Sequence, residues 1–339
     1  MNKIKVCIIG LSYAEKVFIK CLNNISSIQI IGIAYNKRNI NSLKKKYKNI
    51  KFSKNFRNLI DNLKPQLVLI ATPTYVQEEA IKFLVQKKIP FLCEKPLTIN
   101  LTQAKNIFNL VYNSNIPSVI DYNFIPIPIF KFIKLYLNNN NDYLSYDLTW
   151  NFRSYPKQNH LKSWKFQNKL GGGTLNNYGS HLFSIIDYLF GNINKLRSYR
   201  VSTKSMNDKI IVNNFHNNKK NGQFVLSPAL DHLRKFELNI YYKKYHLHLI
   251  NNTMHYHSGF RLYKVEDKNK KKLLKKYYNY TSSDPRVTQT TKIIQSLIKK
   301  IKLKKKSYFD ISLALRIQIL IHYANQSISL KKKLNIKNS

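Results

Sequence analysis

Glycine is scarce in this chain, with nine residues in 339, and three of the nine stand together as Gly171-Gly172-Gly173. Most turns must therefore do without it, and the triplet marks a place where the backbone has to lie bare or bend left-handed. Acidic residues are also few, 16 against 58 Lys and Arg, giving a formal charge of +42. Such an excess ordinarily signals a polyanionic partner. The lysines are scattered, however, and the other abundant residues (Asn, Ile, Tyr, Phe) share A/T-rich codons with Lys. Compositional drift accounts for the charge, and nucleic acid is not the expected partner; the runs at 268–276 (KNKKKLLKK) and 299–306 (KKIKLKKK) are where one would bind. Only three cysteines occur, Cys7, Cys21 and Cys93, too far apart for a CxxC pair, so neither a disulfide framework nor a thiolate metal site is expected. No uncharged run reaches membrane-spanning length, and the opening VCIIG is too short for a signal-peptide core. A reducing cytoplasm is the expected location.

What is present is a long alternation of strands and helices. KVCIIG reads as a buried strand ending at Gly10, followed by a short loop and a helix from Ala14 to Leu22. Apolar strands at 28–34, 67–71, 90–93 and 117–121 then alternate with helical stretches near 38–47, 75–87 and 101–113. That is the pattern of right-handed βαβ units in a parallel sheet. The fold expected is α/β, with a doubly wound dinucleotide-binding domain over 1–122. The pattern changes after Pro126 and Pro128: a helix near 129–138, a strand near 143–151, the glycine-led helix, then strand-like segments from 195 to 265. Residues 123–339 are expected to form an α+β domain with a large, mostly antiparallel open sheet, closed by helices near 286–302 and 309–328.

The first strand-loop-helix is where a dinucleotide pyrophosphate would sit, on the positive end of a helix. Gly10 and Ser12 take the first two glycine positions of the usual fingerprint. Ala14 takes the third if the loop is one residue short, which avoids setting Glu15 against a pyrophosphate. An acid at the end of the second strand would bind the ribose 2′-hydroxyl of NAD. This chain has Tyr35 and Asn36 there, followed by Lys37 and Arg38, so the cofactor expected is NADP or NAD, leaning to NADP.

The glycine triplet opens a helix, GGGTLNNYGSHLFSIIDYLFG, in which Asn177, His181, Ser184 and Tyr188 form one polar stripe. Either the stripe surrounds a reactive centre with His181 as its proton carrier, or it is a solvated edge. ATPTYVQEEA at 71–80, CEKPL at 93–97, the glycine-led run ending in His181, Trp164, and the closing helix FDISLALRIQILIHYANQS together resemble the glucose-fructose oxidoreductase/inositol dehydrogenase (Gfo/Idh/MocA) family. The resemblance implies hydride transfer to or from a hydroxyl or carbonyl carbon of a sugar, cyclitol or related small molecule. It also implies cofactor contacts from Thr72, Pro73 and Gln77, with Glu94 at the nicotinamide end. Lys95 would contact ribose and substrate hydroxyl, and His181 would be the acid/base. Such chemistry needs a base for the alcohol proton and a cation to steady the alkoxide. The family pattern has an Asp where this chain has Asn177, and commonly an acid at Ser184, a His at Gln77 and an Arg at Ile125. Asn177 is carried as a catalytic position with altered proton chemistry. These departures support the alternative of a catalytically impaired cofactor-binding relative. The resemblance further implies a homo-oligomer paired through the C-terminal sheet.

YYKKYHLHLINNTMHYHSGF at 241–260 holds four of the nine histidines. A two-residue turn at Asn251-Asn252 would set His248 against His255 and His246 against His257, all on one face. Packing at a paired sheet surface, with no resident metal, is the expectation.

Overall fold

A computed structural model describes residues 3–36, 39–154, 163–201, 209–217, 220–228, 234–253, 255, 257–266, 270–278, 284–304 and 307–336. Backbone contacts divide them into two units. One spans 1–123 and 282–315; the other spans 124–281 and 316–339, the last cut falling inside the helix Ile311–Leu330. A single cut near residue 122 does not produce this division. The helix Arg286–Leu303 puts Val287, Ile293, Ile294 and Leu297 into the core of the first unit, beside Val17, Phe18 and Cys21. An amphipathic helix goes wherever its apolar face is buried, and sequence order does not decide that.

In the first unit, six parallel strands form one sheet: β1 (Ile4–Ile9), β2 (Ile28–Ala34), β3 (Lys51–Ser53), β4 (Leu67–Ile70), β5 (Phe91–Cys93) and β6 (Ser118–Ile120). Their order is β3-β2-β1-β4-β5-β6, so the winding reverses between β1 and β4. β1, β4, β5 and β6 are almost wholly buried, as strands covered on both faces must be. The sequence pattern did not reveal β3 or the helix Phe56–Leu63: β3 is three residues with no buried position, and the helix buries only Leu59 and Ile60.

The second unit holds nine strands: β7 (Ser145–Asn151), β8 (Ile193–Arg200), β9 (Ile210–His216), β10 (Asn221–Ser227), β11 (Lys235–Tyr241), β12 (Tyr245–Asn251), β13 (Phe260–Glu266), β14 (Lys271–Tyr277) and β15 (Leu334–Asn335). The order is β14-β13-β12-β11-β7-β10-β9-β8-β15, antiparallel throughout except where β10 runs parallel to β7. Burial alternates along β7, β9 and β11, so one face is core and the other open. Tyr146, Leu148, Trp150, Phe224, Phe236 and Leu249 lie on the core face.

The histidine hairpin differs from the expectation. His248 pairs with Tyr263, and His246 with Val265; His255 and His257 lie in the connection between β12 and β13, not on a strand. The reason is Asn251. Its side-chain amide donates to the carbonyls of His255 (3.0 Å) and Ser258 (2.8 Å), while its Oδ1 accepts from the backbone N–H and hydroxyl of Thr253. One side chain thus organises a long loop where a two-residue turn was expected. The four histidines do not share a face: His255 is exposed and His257 is buried. No group of three or more His, Cys, Asp or Glu able to hold a metal occurs among the described residues.

Candidate active site

In the first unit the candidate residues gather at the carboxyl ends of the strands. Gly10 directly follows β1; its φ of +97° is left-handed, and an added Cβ would lie 2.5 Å from the Ala71 carbonyl oxygen. Only glycine lets the loop cross that close to the end of β4. Ser12 is exposed, and Ala14 is fully buried at the start of a helix that is π-wound over Ala14–Phe18 and α-wound over Ile19–Asn23. Tyr35 is half-buried and Asn36 exposed after β2, while Lys37 and Arg38 lie outside the described residues.

Across the crevice at the reversal point, β4 leads to Thr72-Pro73 and the helix Thr74–Gln86. The hydroxyls of Thr72 and Thr74 are buried with no hydrogen-bond partner among the described residues. Buried hydroxyls are normally satisfied, so two orphans at a strand-to-helix turn fit a ligand's polar groups. Gln77 is fully engaged in holding that turn. Its amide donates to the Thr72 carbonyl (3.2 Å), and its oxygen accepts from the Cys93 thiol (2.8 Å). Burial, with Glu94 alongside, pushes that thiol well above its ordinary value, so it stays protonated.

Glu94 and Lys95 follow β5, with a cis Lys95-Pro96 peptide. Beside them, after β6, lies Asp121, an acid the sequence reading passed over. It is fully buried, accepts hydrogen bonds from Tyr13 Oη (2.9 Å) and from Thr290 Oγ1 (3.1 Å to each oxygen), and has Asn123 Nδ2 at 3.5 Å. Burial raises its pKa, opposed by hydrogen bonds from Glu94, Tyr13 and Thr290 and by the Lys95 charge. Arg286, over the Tyr13 ring at 5.3 Å, pairs with Asp284 through two bonds of 3.0 and 2.6 Å. Burial works against its charge, but the Asp284 pairing and Tyr13 hold the guanidinium charged. A signal for Asp121 existed: an acid directly after a buried strand, in a chain with 16 acids.

In the second unit, the glycine triplet packs tightly before the helical run Leu175–Gly179 and Ser180–Phe190. A Cβ on Gly172 would fall 2.5 Å from the Trp164 carbonyl oxygen and 2.6 Å from that of Lys165. Asn177 closes this turn, its Nδ2 donating to the carbonyls of Lys165 and Gly173, each at 3.0 Å. A carboxylate, which only accepts, cannot make those bonds. Ser184 donates to the His181 carbonyl at 2.8 Å. Asn177, His181 and Ser184 are all buried and Tyr188 is half-buried, so most of the polar stripe is not a solvated edge. The His181 ring packs 4.9 Å from Phe124 and 6.1 Å from Trp150, and Phe124 also meets the buried His257 at 4.4 Å. His257 had been read as a strand residue, and its place here follows from the long loop. Farther along the helix, buried Asp187 is paired bidentately with Arg316 at 3.2 and 2.9 Å. The structure therefore gathers Gly10, Thr72, Pro73, Gln77, Glu94 and Lys95 at one sheet edge and His181 with Asn177 on one helix. Each set belongs to its own unit.

Two family models match this chain. The one described as "Oxidoreductase family, NAD-binding Rossmann fold" covers residues 4–118, and "Oxidoreductase family, C-terminal alpha/beta domain" covers 142–336. The chain belongs to the Gfo/Idh/MocA oxidoreductase family. Among curated relatives, an oxidoreductase of Synechocystis is 24% identical over 189 residues, covering 55% of this chain and 51% of that one. The levoglucosan dehydrogenase of Pseudarthrobacter phenanthrenivorans is 27% identical over 139 residues (40% and 36%), and the glucose-6-phosphate 3-dehydrogenase of Bacillus subtilis is 24% identical over 195 (55% and 53%). The chain thus spans about half the length of two of these relatives and about a third of the other. A solved levoglucosan dehydrogenase in complex with NADH and L-sorbose superposes with a TM-score of 0.84 at 16% identity, covering 100% of both chains. An oxidoreductase from Agrobacterium radiobacter bound to NAD+, L-tartaric acid and magnesium gives 0.82 at 15%, covering 99% of each. These superpositions establish the shared fold. No helix among the described residues is long and apolar enough to cross a membrane.

Proposed function

We propose that this Gfo/Idh/MocA protein is an NAD(P)-dependent oxidoreductase that moves a hydride to or from a CH–OH or carbonyl carbon of a sugar, cyclitol or related small molecule. The observation that carries the reading is Lys95, set with Glu94 at the carboxyl end of β5 in a dinucleotide-binding sheet. Gly10, Ser12 and Ala14 would hold the pyrophosphate, and Tyr35, Asn36, Lys37 and Arg38 the adenosine ribose. Thr72 and Pro73, with Gln77 bracing their turn, and Glu94 would hold the nicotinamide end. When bound, the nicotinamide ring supplies the hydride acceptor or donor. Lys95 steadies the alkoxide, and His181 holds and moves the alcohol proton at an imidazole nitrogen, enclosed by Phe124 and Trp150 that exclude water. Tyr35 and Asn36 in place of an acid favour NADP over NAD. Self-association through the open face of the nine-stranded sheet and a cytoplasmic location complete the proposal.

Titration with NADPH and NADH tests it, and absence of binding of either at millimolar concentration would overturn it. With a polyol that turns over, Lys95→Ala and His181→Ala each abolish activity, Lys95→Ala more severely. A second reading, a relative that binds cofactor without turnover, draws on Asn177, whose amide is committed to two carbonyls. Cofactor binding without turnover on any polyol would favour it.

A further inference from the structure

Two carboxyl groups lie side by side at the edge of the parallel sheet. The register of β5 and β6 pairs Phe91 with Ser118, Leu92 with Val119 and Cys93 with Ile120, and Glu94 and Asp121 are the next residues on the two chains. The Asp121 backbone N–H donates to the Cys93 carbonyl at 2.9 Å, continuing the ladder. Glu94 lies within hydrogen-bonding reach of the Asp121 carboxyl, and the Lys95 charge acts on it. Two carboxylates accept hydrogen bonds but donate none, so a bond between them requires a proton on one. Like charges this close do not both ionise.

The surroundings fix which groups can move a proton. Tyr13 and Thr290 both donate to Asp121, and Asn123 Nδ2 donates to Tyr13 Oη at 3.1 Å, aiming the phenol's own proton at the carboxylate. Burial pushes Tyr13 well above its ordinary value, so it remains a donor. From the helix Arg286–Leu303, Arg286 is neutralised by Asp284. Cys93 and Cys21 are both buried thiols raised by burial. That leaves Glu94, Asp121 and Lys95, together at the ends of β5 and β6, as the groups placed to exchange a proton.

We propose that Glu94 and Asp121 form a proton-sharing carboxyl pair that exchanges a proton with Lys95 and whose remaining negative charge holds that residue as the ammonium. The proposal rests on the oxidoreductase reading for the role of Lys95. As an alcohol is oxidised by the nicotinamide cofactor, its O–H bond breaks, His181 takes the proton, and the Lys95 ammonium steadies the alkoxide until the carbonyl forms. The pair keeps one shared proton and one negative charge throughout, which favours that ammonium.

The pair is tested without substrate or cofactor. Infrared spectroscopy at pH 7 should show a protonated-carboxyl C=O band that shifts in D2O and is lost in both Asp121→Asn and Glu94→Gln, while surface Asp61→Asn keeps it. Absence of the band from folded wild-type protein overturns the pair even if neither variant folds, and so does its survival in both. The link to Lys95 is read by trace acetylation and mass spectrometry. Removing the pair's charge in the double variant Glu94→Gln/Asp121→Asn should raise Lys95 labelling at pH 8 about tenfold over either single variant. Unchanged labelling overturns the link. A band present in protein that binds neither NADPH nor NADH would sink the oxidoreductase reading and leave the pair standing.

Discussion

The two candidate regions solve the same polar problem in opposite ways. At the edge of the parallel sheet, charge is concentrated and neutralised: Glu94 and Asp121 beside Lys95, and Arg286 on Asp284. On the glycine-led helix the buried groups around His181 are neutral, with Asn177 donating to two carbonyls and Ser184 to a third. Asp187 lies nearly three turns from Asn177 and carries its own arginine. Burying a carboxylate is costly without donors or a counter-charge. The chain keeps its buried acids Asp121 and Asp187 where Tyr13, Thr290, Lys95 or Arg316 can meet that cost, and places amides and hydroxyls at Asn177 and Ser184. An Asn at position 177 is therefore a working part of its turn, as well as a departure from the family pattern.

The largest effect tests the backbone beneath the charged region. In Gly10→Ala, the φ of +97° strains the residue and the new Cβ meets backbone atoms of Ala71 and Thr72 at 2.5–3.0 Å. Backbone cannot rotate away as a side chain can. We expect a loss of about 3 kcal/mol, read by denaturant unfolding, with cofactor affinity falling alongside. A change below about 0.5 kcal/mol would show that the loop can shift freely.

The second prediction moves a charge into the neutral region. Asn177→Asp keeps the size but sets an acceptor against the carbonyls of Lys165 and Gly173. The expected cost is about 2 kcal/mol at pH 7, easing as pH falls and the new carboxyl takes up a proton. If the variant is as stable as wild type and gains hydride transfer, the contrast between the regions fails and the lost carboxylate is the important feature of position 177.

Much of this was legible in the sequence, for reasons that individual residues make plain. Continuous apolar runs such as LVLI and PFLC declare buried strands, and the reversal crevice follows from their order. β3 was not legible, because a three-residue strand with no buried position carries no period. The placement of Arg286–Leu303 was not legible either, since periodicity reports an apolar face without naming what covers it. His257 was misplaced because the turn at Asn251 depends on side-chain bonds to residues four and seven positions on, where only the dipeptide Asn-Asn was read. Asp121 was readable as an acid closing a buried strand. Its partners Tyr13 and Thr290 were not, because they lie 108 and 169 residues away along the chain.

The smallest effect sharpens the comparison by sign. Glu237, on the open face of the second unit, is held down to about 2, first by its hydrogen bond with His248 at 2.8 Å and also by Lys235, with burial opposing. A carboxyl depressed from 4.5 contributes stability that is present above that value and is lost as pH falls from about 4.5 through about 2. Asp121 has the opposite sign: a raised carboxyl contributes stability below its unfolded value that is lost as pH rises. His248→Ala should therefore flatten the decline in Tm on acidification between pH 5 and 2, while lowering Tm at pH 6 only slightly, because both partners are partly solvated. Asp121→Asn should not flatten that acid limb and, by removing a group that stabilises as pH falls towards 3.8, should steepen its upper part. Thermal unfolding of both variants from pH 2 to 8 checks this. An acid limb as steep in His248→Ala as in wild type would mean that the Glu237 contact adds nothing to stability, and a limb flattened equally by both substitutions would erase the distinction between acids held by partners and acids held by burial.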